Sequence, residues 1–79
     1  MMTNLPADCA AGDICERILN LMAYKRQRYG VVFFRTRDIA AELDISVRQC
    51  REHLDYLLLT GVAGCTPATA ASPVLWFIL

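Results

Sequence analysis

Beyond Asp55 this 79-residue chain has no charged side chain, and its whole length holds one histidine and one tryptophan. No apolar stretch approaches the ~20 residues that a membrane helix needs, so no membrane association is expected. The segment Met1–Gly12 has neither a basic start nor an apolar run, which argues against an export signal and for the cytoplasm. Four cysteines (Cys9, Cys15, Cys50 and Cys65) are present, but no pair has the two-residue gap of a zinc knuckle or a redox motif. They read as reduced, structural thiols, and neither a metal nor a cofactor is expected. The lone His53 stands two positions before Asp55, a spacing at which helical side chains do not face one another. Ser46 reads as a helix cap and not as a nucleophile. Catalysis therefore has no footing in the sequence, and the chain is not expected to be an enzyme.

Net charge is also missing: eight basic residues balance eight acidic ones, so no global field draws the chain to nucleic acid. The distribution is uneven. Lys25, Arg26, Arg28, Arg35 and Arg37 form a tract without one acid, whereas from Asp38 to Asp55 five acids face two arginines. Any electrostatic footprint is local.

What is abundant is apolar surface, at 56% of residues against 20% charged, which excludes global disorder. The length suits one domain: a lead-in over residues 1–11, expected to be flexible, and a folded unit over 12–79. For so short a chain the apolar share is high. It fits either a dense core with scattered exposed side chains or a surface that covers a partner or a second copy.

Ile14, Ile18, Leu21 and Met22 follow a 3.6-residue period and predict a helix from Asp13 that Gly30 stops. Val31–Phe34 is β-branched and aromatic, and predicts a short strand. Thr36 is a plausible N-cap for a second helix with Ile39, Ala40 and Leu43 inward. Asp44-Ile45-Ser46 then makes a turn anchored by Ile45. Ser46 and Gln49 have the spacing of a capping box, so a third helix begins at Val47 and ends at Thr60-Gly61, with Val47, Cys50, Leu54, Leu57 and Leu58 inward. Strands at Val62–Cys65 and Val74–Ile78 flank a loop at Thr66–Ser72. The fold class expected is α+β, mainly α: a winged helix-turn-helix with three helices and a small antiparallel sheet.

Two helices across a tight turn are the scaffold that sets a recognition helix, here about 47–60, into the major groove of double-stranded DNA. Arg48, Gln49 and Arg51 are side chains suited to base edges, and Arg35, Thr36 and Arg37 stand where a helix start attracts phosphate. With Ser46 they form the candidate DNA-binding set. The bland alternative is that Arg48 and Glu52, four apart, are only a surface ion pair. Tyr56, Leu59 and Trp76 could make an exposed patch, although Trp76 is better placed packing the sheet onto the first helix. Leu59 falls on the charged side of its helix, and with Leu58 is the candidate partner contact.

The run from Thr36 to Val62 resembles the winged-helix core of bacterial regulators, and more narrowly the FaeA/PapI-like family of small fimbrial-operon regulators. The resemblance rests on Gln49-Cys50-Arg51-Glu52-His53-Leu54, on Leu57-Leu58-Leu59-Thr60-Gly61-Val62 and on the closing Trp76-Phe77. It implies a regulator of fimbrial (adhesin) genes acting beside a global DNA-binding regulator protein; the residues themselves leave both a monomer and a weak homodimer open. The wing loop departs from the pattern, because Thr66–Ser72 has no basic residue. The competing expectation is a protein–protein interaction module that keeps the fold and binds another regulator without reading DNA.

Overall fold

A computed structural model describes residues 7–79, with side chains from Ile14 onward. Three helices and three short strands follow in the order α1 (Ala7–Tyr29), β1 (Phe34–Arg35), α2 (Thr36–Leu43), α3 (Val47–Leu59), β2 (Ala63–Cys65) and β3 (Leu75–Ile78). The strands form one antiparallel sheet in the order β1-β3-β2. This is the winged helix-turn-helix arrangement that the sequence predicts.

Helix α1 starts at Ala7 and not at Asp13. Residues 7–11 of the expected lead-in are thus helical, and residues 1–6 lie outside the described residues. The alanines at 7, 10 and 11 favour helix without contributing to an apolar stripe, so periodicity missed them. Ile18 and Met22 are fully buried with Cys15 beside them, while Ile14 and Leu21 pack half-buried against this core. Gly30 ends the helix at φ 73°, where its amide donates to the Arg26 carbonyl and the Val31 amide to that of Lys25. That closure corrects the strand expected over 31–34. Val31 has its amide turned back to the helix, and pairing begins only at Phe34, opposite Trp76.

Helix α2 is capped by the backbone of Arg35 without a side-chain bond, so Thr36 is its first residue and not its N-cap. It closes at Asp44, which takes a left-handed φ of 57° while the Ile45 amide donates to the Ala40 carbonyl and the Asp44 amide to that of Ala41. These paired bonds satisfy carbonyls that the helix end would otherwise orphan. They also fold the chain back within three residues, with Ile45 half-buried against the core.

Helix α3 opens as expected, with the Ser46 hydroxyl accepting from the Gln49 amide at 3.0 Å. Its inward face is narrower than expected. Cys50, Leu54 and Leu57 are buried, but Val47 is 53% and Leu58 40% exposed. On a helical wheel both stand about 50–75° from the middle of the buried stripe, at its margin. Gly61 closes α3 at φ 82°, donating to Leu58 while Val62 donates to Leu57.

The sheet covers the other side of the core. Trp76, at the centre of β3, is fully buried. Phe77 lies opposite Gly64 in the register, and a Cβ at Gly64 would stand 2.5 Å from the tip of its ring, so any larger residue must push that half-buried ring aside. Between β2 and β3 the Thr66 amide donates to the Leu75 carbonyl, and the Thr66 hydroxyl accepts from the Leu75 amide. At the tip, the Thr69 hydroxyl accepts from the amides of Ala71 and Ser72. The wing is therefore ordered by its own hydroxyls and carries no charge. No described helix is long and apolar enough to cross a membrane.

Candidate nucleic-acid interface

The pair α2–turn–α3 places two helix beginnings side by side. Trp76 holds them there. Its indole Nε1 donates to the Thr36 hydroxyl at 2.8 Å, and Cys50 in the first turn of α3 directs its thiol at the Thr36 carbonyl at 3.6 Å. The Arg51 guanidinium lies 5.7 Å from the centroid of the Trp76 ring, within cation–π range. One buried indole thus touches the start of α2 and the second turn of α3. Burial pushes the Cys50 thiol up to about 11, so it stays protonated and serves packing.

The predicted residues assemble around this joint. Arg35 and Arg37 flank Thr36, are exposed, and have no ion-pair partner among the described residues. Thr36 is half-buried, its oxygen accepts from Trp76, and its O–H is still free to donate. Ser46 is committed to the cap. Arg48 and Gln49 are exposed in the first turn of α3, and the Arg48 side chain is 91% accessible.

Two of the arginines have acidic company on their own helix. Arg51 Nε donates to Asp55 Oδ1 at 3.2 Å, and Arg48 Nε stands 3.8 Å from Glu52 Oε2. Both pairs are spaced i, i+4 and more than half exposed, so each contributes a few tenths of a kcal/mol at most. They nevertheless set a local balance in which Arg35 and Arg37 are free cations while Arg48 and Arg51 are partly neutralised. The ion pair weighed for Arg48 and Glu52 is present; that of Arg51 with Asp55 follows the same spacing and was legible too.

Sequence reasoning missed three features of the site. Val47 projects from the first turn beside Arg48, although it was expected inward. Trp76 organises the site from 40 positions away, which no local pattern signals. His53 is half-buried with Nδ1 3.7 Å from Cys15 Sγ, pinning α3 to α1, and burial raises the Cys15 thiol above its ordinary range. The exposed patch considered for Tyr56, Leu59 and Trp76 loses its tryptophan to the core. Leu59 remains 84% exposed, with Leu58 next to it. Among the described residues, no three His, Cys, Asp or Glu side chains gather as they would to hold a metal ion. Compared with known proteins, the chain matches no family model and no curated protein.

Proposed function

We propose that this chain is a small sequence-specific DNA-binding transcriptional regulator, with α3 as the helix that enters the major groove. The observation that carries the reading is the juxtaposition of the two helix starts. Through Trp76 and Thr36, two free arginines at the start of α2, Arg35 as its N-cap and Arg37 in its first turn, stand next to a capped first turn that exposes Val47, Arg48 and Gln49. Helix starts attract phosphate by their free amides, and arginine and glutamine match the edges of guanine and adenine. Arg35 and Arg37 grip the backbone in this reading, while Arg48 and Gln49 read bases. Arg51 supports them from the Trp76 face. The resemblance to FaeA/PapI-like proteins extends the proposal to a fimbrial operon and a cytoplasmic location.

The uncharged wing limits how tightly such a protein holds on. If Arg35, Arg37 and Arg51 each neutralise one phosphate, the slope of log K against log salt is about −2.7. Raising salt from about 50 to about 200 mM then weakens binding roughly fortyfold. The test selects sites from random duplexes and measures binding at both salts, alone and with a second regulator present. Arg48→Ala should lose about 1–3 kcal/mol of discrimination at one base pair while keeping most of its affinity for random DNA. Absence of any enriched site, with or without the second regulator, refutes the proposal.

Leu59 favours a second reading, a module that binds another regulator. So large an apolar side chain on a charged helix face suits an interface, and Leu58 beside it enlarges the contact. A partner lost by Leu59→Asp with DNA binding unchanged separates the two.

A further inference from the structure

Resting on the DNA-binding reading of α3, we propose that Val47 determines specificity by taking the C5-methyl group of a thymine in the major groove. Val47 is the first residue of α3 and 53% exposed, between the Ser46 cap and the exposed Arg48 and Gln49. Cys50 and Arg51, three and four positions on, share its side of the helix. Both reach the joint with α2, Cys50 at the Thr36 carbonyl and Arg51 over the Trp76 ring. Val47 extends that side of α3 by one turn, and there its methyl groups meet solvent. Nothing local calls for valine at this place. A β-branched residue is a weaker helix former than alanine, and the core closes without it.

Size and surroundings select the occupant. The other exposed apolar side chains of α3, Tyr56, Leu58 and Leu59, begin nine positions on, about 13 Å along the axis. Val47 is therefore no part of an apolar face wide enough to dock a protein. It is one small apolar group among a hydroxyl, an amide and two guanidinium groups. Such a setting suits a single methyl among hydrogen-bonding atoms. Of the four bases only thymine presents one in the major groove, where its methyl stands beside the O4 acceptor. Valine holds one preferred χ1 in a helix, so little freedom is lost on contact. Neighbouring Cα atoms stand about 3.8 Å apart and stacked bases about 3.4 Å, which sets the thymine within about two base pairs of the guanine read by Arg48.

Uracil in place of thymine deletes this methyl and leaves the hydrogen-bonding edge intact. In the duplex enriched from random sequences, each thymine is exchanged for uracil in turn and binding is titrated at about 100 mM salt. At one position, near the guanine that Arg48 discriminates, the original protein should bind about fourfold more weakly, the worth of one buried methyl-sized group. Val47→Ala should bind the thymine duplex more weakly, and should bind its thymine and uracil forms equally. Alanine favours helix, and an unchanged urea midpoint read by Trp76 fluorescence certifies that this variant is folded. Failure to enrich any duplex defeats the DNA-binding reading and this inference with it. An enriched duplex that tolerates uracil at every position overturns the inference alone. So does a uracil penalty undiminished in Val47→Ala, which assigns the methyl to another residue.

Discussion

Replacing Thr36 by valine removes a single oxygen from the joint between sheet and helix pair, and the structure sets the consequence. That oxygen accepts the indole N–H of Trp76 at 2.8 Å, and Trp76 is fully buried. Valine matches the shape of threonine closely, so packing is retained while the indole N–H loses its partner. Leaving a buried donor unsatisfied costs about 1–3 kcal/mol. For a domain of this length total stability is about 4–12 kcal/mol, so the loss is a substantial fraction. The melting temperature should fall by roughly 5–20 °C. Urea titration followed by fluorescence reads the effect directly, because Trp76 is the sole tryptophan. Thr36→Ser keeps the acceptor, and should lose less than Thr36→Val. A Thr36→Val protein within about 0.5 kcal/mol of the original, or a serine variant equally damaged, refutes the argument, since surface changes of no consequence fall in that range.

Asp55→Asn and Glu52→Gln each remove an acid from the proposed DNA face and release the arginine it pairs with. Both should tighten DNA binding several-fold at low salt and steepen the salt slope, up to about 0.9 for each additional phosphate neutralised; a flatter slope in binding titrations contradicts this. Gly61→Ala meets no atom within 4 Å of the new Cβ, so its cost comes from the backbone at φ 82°, about 1 kcal/mol in denaturant titration. Among the three described cysteines Cys65, half-buried, should react first with a disulfide reagent at pH 8. Cys50, with its thiol raised to about 11, has roughly one thiolate in a thousand there, and its share grows tenfold with each pH unit below that value. Modification of Cys50 in the folded protein at the rate of the urea-unfolded chain overturns the assignment.

The helix pair was readable because its punctuation is local. The Ser46 cap, the apolar spacing around Leu54 and the Gly61 stop each lie within a few residues of what they control. Asp44 in a left-handed conformation was marked only by its place in a polar turn. The strand ahead of β1 was misread because composition favours it while the Gly30 closure claims the Val31 amide. Val47 and Leu58 sit at the margin of their stripe, where residue type cannot decide which way the chain turns. The candidate arginines were legible as residue types, but their arrangement was not, since it depends on the contacts of Trp76 with Thr36 and Arg51.

The strand order also bears on how the protein is made. β3 lies between β1 and β2 yet is the last of the three to be synthesised, so neither earlier strand has a neighbour until residues 75–78 emerge. The three helices precede the strand that completes their core, and Trp76 is the largest side chain of that core. A chain cut anywhere before Leu75 would keep all three helices but lose the sheet, the central indole and the joint that sets α2 against α3. The capacity proposed for the α3 face therefore arrives all at once, with the final strand.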